Sequence, residues 1–495
     1  MNFAKSLMLG GAALLVATAG AQAADLPLKA KAVEYVKVCS LYGAGFYYIP
    51  GTDTCIKLGG YIRAEYAVNA AGMTETPAWN GAAGQRNRLA NDTIFRSRGD
   101  LNIDTRTATE YGVVRTYFES VFTWTTGAPI AGSDTTGVYF AFIQFAGFTF
   151  GKAVSQFDTP WSGSPGNITS NLLGGYDNST GINQVAYTAQ FGNGVTASIS
   201  LEDPSTYNQA GVYNATGLTA ANWATGLVGN LSNAGTSVPD IVGQVRVDQA
   251  WGLFQVSAAA HQVRASYYNL TDETSGHPSD KWGYAVQAAL SLKNLPTGAG
   301  DSFNISGTYA NGASRYVIGG TTGTSTTGQV LLAMYGNNAS PAFQSIAFAG
   351  SSDGVFGAGT GIELTTAYGI RGAFNHNWNP NWSTSVFGAY SKVDYNGTAS
   401  NLICGAPLVA GAFITGTCNP DFAIAQVGTV TRWTPVKNLT FSGEVIYTHL
   451  DQNNSGFANI PAIGSGASQT PKPANVYQFK DQDTWTGAIR VQRTF

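Results

Sequence analysis

The chain has 495 residues, 11% charged and 12% aromatic, with 61 glycines and a net charge of −3. So mild a charge does not point to a nucleic-acid partner. No apolar run of about 18 residues or more follows residue 23, which argues against a transmembrane helix in the mature chain, and a near-zero mean hydropathy fits strands with one greasy and one wet face.

At the N-terminus, Lys5, the apolar stretch 7–19 and Ala21-Gln22-Ala23 follow the order of a secretory signal peptide. It is predicted over residues 1–23, with Ala24 first in the mature chain. Residues 24–54 are read as an N-terminal periplasmic segment and 55–495 as a transmembrane β-barrel. The cysteines fall in two close pairs, Cys39/Cys55 and Cys404/Cys418. An exported chain meets an oxidising compartment, so disulfides are expected. Three connectivities are possible, and the local one, closing the shortest loops, is preferred. No histidine lies near either pair in sequence, which argues against a metal site.

From residue 55 onward the chain alternates apolar and polar residues in successive segments. Strands are predicted at 55–68, 93–106, 111–124, 137–145, 148–156, 182–190, 195–202, 239–248, 252–264, 281–291, 302–311, 365–377, 382–394, 422–433, 438–450 and 483–495. That is an even number, as a bacterial barrel with both termini on one rim requires. Short connections such as Ala146-Gly147, Gly192-Asn193-Gly194 and Trp251-Gly252 carry turn chemistry. They alternate with long ones such as 203–238, 312–364, 395–421 and 451–482. Short turns on one rim and long loops on the other are the asymmetry of an outer-membrane barrel, and a soluble sandwich has no reason for it. The last strand runs to Phe495 itself, which suits a sheet that must close to leave no edge.

The faces assign inside and outside. Arg96, Arg98, Asp100, Asn102, Asp104 and Arg106 share one face of the second strand, opposite Phe95, Leu101 and Ile103. The first, third, twelfth and fifteenth strands repeat the pattern, with Lys57, Arg63 and Glu65, then Arg115, then Arg371, then Glu444 on the polar face. An arginine facing lipid at mid-bilayer costs about 2–4 kcal/mol, so the charged faces must look onto water. Segments 137–145 and 148–156 are apolar on both faces, as expected where neighbouring subunits pack outside and a folded-in loop packs inside. Tyr66, Trp124, Trp378, Trp382, Trp433 and Trp485, near strand ends, fit interfacial girdles.

The fold predicted is thus all-β, a sixteen-stranded antiparallel transmembrane β-barrel with an inward-folded constriction loop. A bore of that size needs a narrowing if it is to select by size, and residues 157–181, after the fifth strand, are assigned to it. Asp158 and Asp177 on this loop are expected to face a basic cluster of Lys57, Arg63, Arg96, Arg98 and Arg115. Opposed charge in a narrow channel orders water and favours polar solutes. His261, His277, His376 and His449 show no catalytic or metal spacing, and no GxSxG, HExxH, CxxC or P-loop occurs. No enzyme activity and no cofactor are expected.

Several stretches carry a resemblance: Val33 to Cys39, Tyr42 to Cys55 with Gly60-Tyr61-Ile62-Arg63, Phe150-Gly151-Lys152, Thr366 to Phe374, and Val491 to Phe495. In these the chain resembles the alphaproteobacterial general porins. The likeness spans the mature chain and is weakest in the loops, with 203–238 and 312–364 as the places where this sequence departs. It implies sixteen strands, a homotrimer in the outer membrane of a Gram-negative bacterium, and passive diffusion of small hydrophilic solutes and ions. It also implies that the loop after the fifth strand forms the eyelet. Outer-membrane lipid and lipopolysaccharide are the expected surroundings. The alternatives are a channel specific for a sugar or oligosaccharide, which would want an aromatic slide along the bore, a barrel enzyme, or an adhesin.

Overall fold

The computed structural model describes residues 37–69, 93–126, 133–161, 166–168, 172–173, 175, 180–217, 230–318, 330–336, 344–405, 413–462 and 472–495. The predicted signal peptide lies outside them. The chain divides into two units, Met1–Ile56 and Lys57–Phe495. In the first, Tyr47–Tyr48 pairs antiparallel with Cys55 and Ile56, and a Cys39–Cys55 disulfide is buried beside Phe46.

The barrel is built on sixteen strands, the first of which starts two residues before the second unit: β1 Cys55–Val68, β2 Thr93–Thr109, β3 Gly112–Thr125, β4 Ser133–Phe145, β5 Phe148–Ala153, β6 Ile182–Gly192, β7 Val195–Glu202, β8 Asp240–Gln249, β9 Gly252–Val263, β10 Lys281–Lys293, β11 Ser302–Asn311, β12 Thr366–Asn379, β13 Trp382–Asp394, β14 Phe422–Val436, β15 Leu439–Gln452 and β16 Gln482–Thr494. Each pairs with its neighbour in sequence, and β16 pairs antiparallel with β1, so the sheet closes without an edge. Every predicted strand is present. The largest shift is at β4, which begins at Ser133; β2 and β14 each run three residues further than predicted, and β5 stops three residues early at Ala153, where the chain leaves the wall sooner than its alternation suggests.

Turn chemistry explains the short rim. Asn193 and Gly194 both take positive φ, 50° and 73°, the geometry that matches the twist of a two-residue hairpin. A Cβ on Gly194 would stand 1.9 Å from the Asp248 carbonyl, so no other residue fits there. The eight-residue turn before β11 is organised by Asp301. Its buried carboxylate accepts from the Asn377 N–H (2.9 Å), His376 Nδ1 (2.7 Å) and the Thr297 hydroxyl (2.7 Å). The Asn377 N–H first and His376 second hold this carboxyl down at about 2. The stabilisation is therefore complete above the ordinary aspartate value of about 4 and is lost as pH falls towards 2. Acid titration followed by thermal melting is expected to show this loss in the native protein and not in Asp301→Asn.

Outward faces carry the apolar side chains: Ile62 is 60% exposed, Phe122 50% and Ile370 48%, whereas the neighbouring inward Arg371 is 1% exposed. This inversion of the usual soluble pattern is what a lipid solvent demands. Aromatic pairs mark both rims, with Trp382 stacked on Trp433 at 5.8 Å and Tyr447 against Trp485 at 4.8 Å. Ile370→Arg should destabilise the inserted barrel by about 2–4 kcal/mol, measured by folding into vesicles. A loss under about 0.5 kcal/mol would place that face in water instead, since surface changes cost no more than this.

The long loops form structure that the sequence reading left irregular. Strands Gly211–Asn214, Asn230–Leu231, Val330–Gly336, Gln344–Phe356, Glu363–Leu364, Ile414–Thr415, Phe457–Ile460 and Asn475–Phe479 join in a second sheet around Gln344–Phe356. Helix Gly397–Cys404 packs on it, with its N-cap Asn396 accepting from the Ala399 N–H, and a Cys404–Cys418 disulfide staples its C-terminal end. Both local disulfide pairings preferred from sequence are formed.

Candidate functional site in the bore

After β5 the chain turns inward. Ser155 Oγ and the Gln156 N–H donate to the buried Glu202 carboxylate on β7 (2.6 and 2.8 Å). The carbonyls of Gln156, Phe157 and Asp158 accept from Gln244 on β8, Gln287 on β10 and Gln255 on β9 (2.7, 2.7 and 2.8 Å). Further along, the Leu173 N–H donates to Gln426 on β14 (2.9 Å) and the Ile168 N–H to Glu444 on β15 (2.5 Å), while Arg432 on β14 donates to the Gly166 carbonyl. Gly175 lies against Arg371 on β12 so closely that a Cβ would meet its Nε at 2.8 Å. The loop then returns, and the Gly181 N–H donates to the Tyr139 carbonyl on β4.

An irregular backbone has no ladder of its own, so its polar groups need side-chain partners when buried. The inward glutamines Gln244, Gln255, Gln287 and Gln426 supply them. The sequence reading followed charge and passed over these amides. Their signal was a glutamine on the inward face of four different strands.

The wall formed by β16 and β1 to β3 carries the arginines. Glu65 sits between Arg96 (Nε–Oε2 2.5 Å) and Arg490 (Nε–Oε1 2.6 Å), with side-chain exposures of 4%, 1% and 11%. Arg115 donates to Asp104 through Nε and Nη2 and to Gln144 through Nη1 (3.0 Å), and Arg106 grips the same aspartate. Arg63 donates to Gln492 (2.9 Å) and lies 4.4 Å from the Tyr61 ring centroid, and Arg98 donates to Thr123 (3.0 Å). The predicted basic cluster is thus brought onto one wall, braced by carboxylates on the same strands. Lys57 is exposed at the short-turn end of β1. Asp158, at the start of the loop, is buried at 4% exposure with its carbonyl held by Gln255 on β9, and Asp177 lies outside the described residues. Arg490, the second partner of Glu65, escaped the sequence reading because its role depends on β16 meeting β1.

Among the described residues, the inward segment's hydrogen bonds to side chains of the wall run from Lys152 on β5 and Gln184 on β6 round to Glu444 on β15. The arginine wall stands on the remaining side. A charged, water-lined conduit between two such surfaces can pass hydrated ions and polar solutes and discriminates against apolar ones.

A family profile described as "Porin subfamily" matches residues 25–488. Porin Omp2b of Brucella suis biovar 1 is 33% identical over 285 residues, covering 55% of this chain and 71% of that one. Omp2b of Brucella canis is 34% identical over 283 residues with the same coverage. Among solved structures, the outer membrane channel DcaP of Acinetobacter baumannii superposes with a TM-score of 0.57 at 13% identity, over 90% of this chain and 99% of that one, a likeness of fold. A profile match of this length, on a closed barrel with a folded-in loop, means that the chain belongs to the porin subfamily and is an outer-membrane diffusion channel.

Proposed function

We propose that the channel passes small hydrophilic solutes and ions without chemical selection beyond size and charge, through the gap between the inward loop and the arginine wall. The observation that carries this is the bore surface itself: arginines, carboxylates, amides and hydroxyls line it, and its polar groups hold the wall and the loop rather than converging on one ligand. In this reading Arg63, Arg96, Arg98 and Arg115 form the basic side of the eyelet, and Lys57 lies on the approach to it. Asp158 and Asp177 belong to the loop side, with the buried Asp158 acting through the field rather than by contact. Residues 24–54 are assigned to the periplasmic side, and outer-membrane lipid and lipopolysaccharide are assigned to the surroundings of the barrel.

The assembly proposed is a homotrimer. β5 has six residues, whereas a strand needs about 9–11 to cross the hydrocarbon core. So low a stretch of wall, faced outside by Phe148, Phe150 and Tyr187, calls for cover by protein. In a planar bilayer, ohmic openings in groups of three are expected, with currents indifferent to added sugars. Block by one sugar at low concentration would instead mark a solute-specific channel, and single openings would count against the trimer.

A further inference from the structure

Strand Gln344–Phe356 has thirteen residues, and all but Gln344 are buried. Its two ends are fastened to opposite sides of the barrel. At one end Ser345 Oγ accepts from Gln482 Nε2 on β16 (2.9 Å), and the Ile346 carbonyl accepts from the Lys480 N–H (3.1 Å). At the other, Asp353 accepts from the N–H groups of Ala210 and Ser314 (both 2.6 Å), and its carboxylate lies 3.5 Å from His261 Nε2 on β9. His261 Nδ1 is in turn 2.7 Å from Asp240 on β8, which also accepts from the Tyr316 hydroxyl (2.6 Å). β16 and β8 stand half a ring apart.

The lengths agree. Thirteen extended residues reach about 40 Å at ~3.3 Å each. Sixteen strands spaced by about 4.8 Å and tilted by ~40° make a cylinder roughly 32 Å across at the backbone. Between its anchors, Ser345 and Asp353, the strand spans eight steps, about 26 Å at ~3.3 Å each, and the Gln482 side chain at one end and the Asp353–His261 contact at the other make up the rest of the distance to the walls. Beneath it, Ile346 and Val355 share one core with Phe157 and Leu173 of the constriction loop. Among the described residues that core takes inward side chains from β8 through β15 and none from β1 through β7.

We propose that this strand is a specificity-determining beam: it closes the loop-side mouth over β8 to β15 and sets a second, outer size limit in series with the eyelet. The inference rests on the chain acting as a diffusion channel, and it goes beyond that reading by giving the two ends of the bore different cut-offs. Solutes entering from the loop side meet the beam before the eyelet, while those arriving from the short-turn side reach the eyelet without passing the beam.

Neutral polyethylene glycols of graded mass, added to one side of a planar bilayer at a time, read this on the native protein. Orientation is fixed by a thiol label at Asn193→Cys on the short-turn rim. Polymers of intermediate mass should lower the conductance from the short-turn side and leave it unchanged from the loop side. Equal cut-offs from both sides would overturn the proposal. Releasing one end of the beam with His261→Gln and Asp353→Asn should raise the loop-side cut-off to meet the other and leave the reversal potential unchanged. A variant that conducts with its asymmetry intact would equally overturn it. If that variant does not fold, the two-sided comparison on the native channel decides alone. Absence of any conductance in the native protein would strike at the channel reading itself, a distinct failure.

Discussion

Glu65→Gln is expected to lower the stability of the folded barrel by about 3–5 kcal/mol, the range for removing one partner from a buried ion pair. Glu65 is the anion between Arg96 and Arg490, and all three side chains are at most 11% exposed. With the carboxylate gone, two guanidinium groups roughly 6 Å apart repel by about 3 kcal/mol at an effective dielectric of ~20. Water in the bore screens Arg490 more than Arg96, which places the effect toward the lower end. The measurement is the shift in heat or urea needed to convert the barrel to its slow-migrating unfolded form on a gel. Glu65→Gln with Arg96→Met removes a cation along with the anion, so it should recover part of the loss. A single variant as stable as the native chain would mean that the triad is solvated and carries little.

Neutralising Arg63 and Arg98 together to glutamine should move ion selectivity toward cations by roughly fivefold per charge, taking ~1 kcal/mol for a unit charge about 4 Å away in water. Both stand on the wall facing the loop, where Arg63 donates to Gln492, Arg98 donates to Thr123 and both lie in the field of the Asp100 carboxylate, which the double variant strips of two cations. Arg115 differs: it shares Asp104 with Arg106, so Arg115→Gln leaves that carboxylate its other partner and should shift selectivity less. Reversal potentials under a salt gradient decide the matter. Unchanged potentials in the double variant would remove Arg63 and Arg98 from the eyelet.

These two cases show where sequence stops being legible. That Arg63, Arg96, Arg98, Arg115 and Glu65 face inward follows from strict alternation, because one step of register would put each of them in lipid. That Glu65 is shared by Arg96 and Arg490 does not follow, since Arg490 lies 425 positions along the chain and meets it only when the last strand closes on the first. The beam was hidden for another reason. Residues 344–356 read Gln-Ser-Ile-Ala-Phe-Ala-Gly-Ser-Ser-Asp-Gly-Val-Phe, small and polar residues with no sustained alternation. A strand buried on both faces has no wet side to impose a period.

His261 makes the same point from a single residue. In sequence it is one of four scattered histidines, whereas in space it stands between Asp240 of the wall and Asp353 of the loop strand and ties that strand to the wall. The strands, their number, their turns, the local disulfides and the inward face of each strand were all present in the amino-acid order, because local alternation and turn chemistry act over a few residues. The path of the constriction loop, the pairing of charges across the closing seam and the filling of half the mouth by loop strands depended on tertiary structure. They rest on contacts between residues hundreds of positions apart, and no short-range pattern encodes which of several equally polar inward side chains an irregular segment will meet.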